Sequence, residues 1–196
     1  MYDMGADGLK HDPAQAASWI RKAAETGDAN SESSLAMRYD FGDGVVRDEK
    51  QSLAWYRKAA DQGDTLAEMS LATRYEIGRG VAKDDAMAFH WNRLLADQDL
   101  PDAQKKVATA YALGQGVTQN YVQAYRWLDT AMSAERKMGR GPSDSEAIAL
   151  DGVAAHLTPA QLGEAKRQVA AWQTSAHDRV AAGFAADKIK AKPAGH

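Results

Sequence analysis

Four tryptophans, Trp19, Trp55, Trp91 and Trp127, stand 36 residues apart. Tyr39, Tyr75 and Tyr111 keep the same interval, and so do three Gly-x-Gly-Val turns that begin at Gly42, Gly78 and Gly114. A fixed period of this length marks a chain of stacked supersecondary units. One unit cannot bury its apolar face alone, so neighbours must cover it. That requirement excludes most compact single-core folds before any individual residue is read.

Within one period the pattern is helix, turn, helix. Asp12 caps a helix that runs to Glu25, with Pro13 at its first position, where the missing N–H is harmless. Ala16, Trp19, Ile20, Ala23 and Ala24 form its apolar stripe, and Gly27 ends it. The next helix spans Ala29 to Phe41 and carries Ser31, Leu35 and Tyr39 on one face. The same alternation predicts helices over 48–62, 65–77, 84–97, 102–113 and 120–133. A small residue stands three before each tryptophan (Ala16, Ser52, Ala88, Ala124), leaving room for a neighbouring helix beside the indole. All four indoles are therefore assigned to the core.

The period breaks after Ala134. Met138-Gly139-Arg140-Gly141-Pro142 reads as a loop. Ser143 with Glu146, and Thr158 with Gln161, are two capping boxes that open the last helices. Trp172 is expected to take the role of a repeat tryptophan there. The stripe Val169, Trp172, Ala176, Val180, Phe184 carries the final helix towards Lys190, although Thr174, Ser175 and Gly183 weaken that pattern. The resulting domain reading is an array over 1–134, a loop over 135–145, capping helices over 146–190 and a frayed tail over 191–196. Residues 2–9 resemble a turn with no helix before it, which favours a chain cut from a longer one over a natural half repeat.

The fold class expected is all-α: an α/α solenoid of antiparallel helix pairs, a superhelix of tetratricopeptide type, with a C-terminal helical cap. The motif Leu35-Ala36-x-x-Tyr39-x-x-Gly42-x-Gly44-Val45, then Asp48, then Trp55-Tyr56-Arg57-Lys58-Ala59-Ala60-x-x-Gly63, resembles the Sel-one-like repeat (SLR) family. The following unit, Leu71 to Asp99, matches with Leu94-Leu95 in place of Lys-Ala and Asp99 in place of the closing glycine. Leu157 to Leu162 is similar to the capping tail of bacterial members. The resemblance covers roughly residues 2–132. It implies a non-enzymatic adaptor that scaffolds protein complexes, often in bacterial signalling, envelope or secretion systems. Cysteine-rich relatives are described as binding β-lactams, which leaves a β-lactam-binding or weak hydrolase activity as one alternative. This chain has no cysteine. Self-association through the uncapped N-terminal helix is another.

Other chemistry is weighed against plainer roles. The Gly-x-Gly turns follow helices and lack a lysine-serine pair, so they are turns rather than phosphate loops. His11, His90, His156, His177 and His196 show no i, i+4 spacing, and no metal site or cofactor is expected. Asp48-Glu49 and Asp84-Asp85 stand at helix N-termini, where the dipole favours them. Arg179, Lys188, Lys190 and Lys192 read as a solvated face. A net charge of −3 argues against nucleic acid, and no apolar run reaches membrane-spanning length. No signal peptide stands in this chain, so bacterial periplasm and cytoplasm both remain open.

The candidate site is the second face of the first helix in each pair. Core positions repeat faithfully from unit to unit; Ser33, Met37 and Asp40, then Leu66, Met69, Thr73 and Glu76, then Lys105 and Thr109 do not. In tetratricopeptide-type solenoids this face lines the concave groove. These residues are accordingly the expected contacts for a protein or peptide partner.

Overall fold

The computed structural model describes the backbone of residues 12–190 and the side chains of residues 12–175. The turn read at 2–9, His11, His177, His196, the basic tail and the stripe beyond Ser175 lie outside the described side chains. The described residues form helices and no strand: α1 Pro13–Glu25, α2 Ala29–Phe41, α3 Glu49–Asp61, α4 Thr65–Ile77, α5 Asp85–Asp97, α6 Pro101–Leu113, α7 Tyr121–Lys137, α8 Asp144–Ala154 and α9 Pro159–Lys190. The chain divides into two compact units, residues 1–95 and residues 96–196.

In the first unit α1 packs on α2, α2 on α3 and α3 on α4. Each helix starts where an aspartate caps it: Asp12, Asp28, Asp48 and Asp64 accept backbone N–H groups of the first turn. Gly42 and Gly78 end α2 and α4 with positive φ, 73° and 75°. The second glycine of the turn also has positive φ, 72° at Gly44, and has a further reason to be glycine. A Cβ on Gly44 would stand 1.9 Å from the Pro13 carbonyl oxygen, so the turn presses its backbone onto the start of α1. Each turn closes with a backbone bond back to the repeat tyrosine: Asp48 N–H to Tyr39 O, 3.0 Å, and Asp84 N–H to Tyr75 O, 3.0 Å. Asn120 N–H to Tyr111 O, 2.8 Å, repeats it in the second unit.

The second unit packs α6, α8 and α9 against α7. α7 continues past the expected end at Ser133 to Lys137. Both capping boxes form. Ser143 and Glu146 bond reciprocally at the start of α8, and Thr158 and Gln161 do so before α9. α9 then runs unbroken to Lys190, and within it the hydroxyls of Thr174 and Ser175 donate to the carbonyls of Ala170 and Trp172.

The tryptophans correct the expectation of a uniform core. Trp91 and Trp127 are buried, Trp55 is half-buried, and Trp19 is 65% exposed. The residue three places on differs along the series. Lys22 holds its ammonium 4.5 Å from the Trp19 ring centre and Lys58 stands 4.1 Å from that of Trp55, so a cation covers each indole face. Leu94 and Thr130 occupy that place after Trp91 and Trp127. Trp172 is also not a further member of the register. It leans edge-on against Trp127, with ring centres 5.2 Å apart.

Candidate functional site

The residues proposed from the sequence fall into three groups. Met37, Leu66, Met69, Thr73 and Thr109 are exposed. The hydroxyls of Thr73 and Thr109 bond back to the carbonyls of Met69 and Lys105, both at 3.0 Å. Ser33 and Asp40 are buried, which corrects their expected place on an accessible face. Ser33 Oγ donates to Asn30 O at 3.1 Å. Asp40 receives the buried Arg74 guanidinium, which also donates to Ser52 Oγ at 2.9 Å and lies over the Tyr56 ring. Asp40 thus ties α2 to α4, the next helix of its kind. Glu76 and Lys105 form a third, half-buried group with internal partners. Glu76 accepts from Asn92 Nδ2 at 2.8 Å. Lys105 meets Glu135 at 2.7 Å and also pairs with Glu146. Burial pulls the Lys105 amine down, but the bonds it donates to the two carboxylates outweigh that and leave the group above its ordinary value.

The exposed stripe ends one residue later than the sequence suggested. Phe41, Ile77 and Leu113, again 36 apart, close α2, α4 and α6 and are 73%, 65% and 61% exposed. The repeat register held the signal all along: three large apolar side chains directly before a glycine turn. In the first unit the accessible stripe is therefore Met37 and Phe41 on α2 with Leu66, Met69, Thr73 and Ile77 on α4. None of these side chains carries a charge, in a chain of which 26% is charged. Single exposed apolar residues are ordinary; a run of them on two linked helices is what marks a contact surface.

Among the described residues no cluster of histidine and carboxylate side chains is placed to hold a metal ion. No described helix is long and apolar enough to cross a membrane.

The Sel1 repeat pattern matches residues 1–28, 29–64, 65–100 and 101–133, about two thirds of the chain. The chain belongs to the Sel1 repeat family. Its all-α repeat fold is that of other Sel1 proteins. A protective antigen present in uropathogenic Escherichia coli strains, which displays an SLR fold, superposes with a TM-score of 0.65 at 32% identity over 100% of this chain. This chain spans 40% of that antigen's length. A Sel1 repeat protein from Oxalobacter formigenes superposes with a TM-score of 0.61 at 24% identity, over 77% of this chain and 68% of its own, a likeness of fold. No curated protein matches the chain in sequence. Sel1 repeats are generally scaffolds for protein–protein interaction, and the fold is typically non-catalytic.

Proposed function

We propose that this Sel1 protein is a non-enzymatic adaptor that binds a partner polypeptide along the uncharged stripe of its first unit, Met37, Phe41, Leu66, Met69, Thr73 and Ile77. The observation that carries the reading is the exposure of Phe41 and Ile77 in repeat register beside two outward methionines. Covering such side chains releases about 1.5–3 kcal/mol each when burial is complete, enough for a few of them to anchor a segment. Methionine adapts its shape to the partner, which suits a surface that must accept one segment without being remade. The buried Asp40 and Ser33 support this surface from beneath and are not contacts.

The test is recovery of partners from the source organism by the wild-type chain and by a Phe41→Glu, Met69→Glu variant. A control carries Lys50→Glu, an exposed change on α3. The stripe variant is expected to keep its helical circular dichroism and melting point and to lose the partner; the control is expected to retain it. Equal recovery of a reproducible partner by all three proteins rejects the stripe as the contact surface.

A further inference from the structure

Comparing polar pairs across repeats exposes a missing partner in the second unit. Glu32, Glu68 and Gln104 share one register position near the start of α2, α4 and α6. Gln62, Gln98 and Ala134 share another, 30 residues further along the chain. In the first unit the two positions are joined: Gln62 Nε2 donates to Glu32 Oε2 at 2.7 Å. In the second unit the glutamine has become Ala134. Gln104 is fully buried, its Nε2 donates to Ala96 O at 3.2 Å, and its Oε1 finds no donor among the described residues. A buried acceptor left unmet is costly and uncommon in folded proteins.

A pocket of about 250 Å³ lies at this place, lined by Gln104 and Ala134 together with Asp99, Ser133, Lys137 and Trp172. It lies where a glutamine at position 134 would extend, and its size suits a side chain rather than a cofactor. We propose that it receives the carboxamide of a glutamine from a partner polypeptide, whose N–H donates to Gln104 Oε1 as Gln62 does to Glu32. Lys137 and Ser133 are the donors available to the incoming carbonyl oxygen. Lys137 and Asp99 place opposite charges at the pocket, so neither an ammonium nor a carboxylate group is favoured over a neutral one. A neutral group that both donates and accepts is what this lining matches, and a carboxamide is that group. The inference shares with the adaptor reading only that the occupant belongs to a polypeptide. The residues are in the other unit, and each idea can fail without the other.

The probe is N-acetyl-glutamine N-methylamide, titrated into the full ¹⁵N-labelled chain and read at the Trp172 indole N–H resonance. The control probe carries a dimethylated side-chain amide, which has no N–H. A saturable shift is expected with the first probe, and binding weaker by about tenfold or more with the second, the worth of one hydrogen bond. Gln104→Leu is expected to cause the same loss. Ala134→Gln supplies the partner internally and is expected to raise the melting point and abolish the shift. Overturning results are a folded wild-type chain with no saturable shift, equal binding of both probes, or an unchanged titration in Ala134→Gln. Binding that emerges only after Gln173→Ala would identify the chain's own Gln173, which also lines the pocket, as the occupant and would equally overturn the proposal.

Discussion

The two units of this chain join their helices by different physics. In the first unit the link between successive repeats is a buried ion pair, Asp40 with Arg74, supported by Ser52 and the Tyr56 ring. The same register positions carry Ala110, Ala112 and Ala124 in the second unit, none of which can form such a pair. The last repeat is held to the terminal helix by aromatic rings instead. The Arg126 guanidinium lies 4.5 Å from the Trp127 ring centre and 5.1 Å from that of Trp172. The Trp172 indole N–H donates to Asp99 Oδ1 at 3.0 Å. A repeat register therefore conserves shape, through glycine turns and small residues beside the indoles, while leaving the chemistry of each junction free. Here an ion pair joins two like helices, and edge-on rings join the last repeat to a helix that is out of register.

The largest effect expected from this contrast is at Asp40. Asp40→Ala strands the buried Arg74 charge and is expected to cost about 3–5 kcal/mol, confined to the first unit. Urea unfolding followed by amide exchange at first-unit residues measures it. The double variant Asp40→Ala, Arg74→Met imitates the alanine-rich second unit and is expected to recover most of the loss, because an apolar replacement of a buried pair is close to neutral. A double variant as unstable as the single one would break the comparison: the ion pair would then be a net source of stability rather than one of two equivalent solutions.

Trp172 gives the next largest effect. Truncating a buried aromatic costs about 3–5 kcal/mol, and Trp172 is half-buried, so Trp172→Ala is expected to cost about 2–3 kcal/mol in the second unit. It also removes the donor that gives Asp99 its purpose. Asp99 is the one non-glycine residue with positive φ among the described residues, at 61°. Its counterparts Gly27 and Gly63 adopt that backbone without strain. A melting curve for Trp172→Phe sharpens the point, since it keeps the ring and loses only the indole N–H. A Trp172→Phe variant as unstable as Trp172→Ala would mean that the bond to Asp99, and not the ring contact, holds the cap.

These junctions also show what was readable in the chain. Helix positions, aspartate caps and glycine turns were legible because each depends on residues within one turn of the helix. Phe41, Ile77 and Leu113 are equally legible by register, as large apolar residues directly before each glycine turn. The exposure of Trp19 is not legible in the chain, because the apolar stripe does not distinguish an indole packed inside from one lying on the surface beside a lysine. Asp99 was visible as a departure from glycine, but its reason lies at Trp172, far along the chain, and no local rule connects them. Asp40 behaved likewise: on α2 alone it belongs to a polar face, and only Arg74 on α4 makes it a buried residue.

The smallest effect is a pH dependence that the second unit should show. The Glu146 carboxyl is held down to about 2, first by the bond from Lys105, then by the backbone N–H and the hydroxyl of Ser143. Its folded value lies below its ordinary 4.5, so between those values the unfolded chain binds the proton and the folded chain does not. The stabilisation is complete above pH 4.5 and disappears as the pH falls towards 2. Solvent screening at this surface position limits it to about 1 kcal/mol or less. Glu164, also lowered by its bonds to Gln168 and Arg167, adds a slope of the same sign, so the informative quantity is a difference. Second-unit stability is measured against pH for the wild type and for Glu146→Gln. The two curves should lie apart at pH 6 and meet near pH 2. Curves that stay parallel across that interval would place the Lys105 contact outside the stability of the second unit, leaving its rings as the whole of what joins the last repeat to the cap.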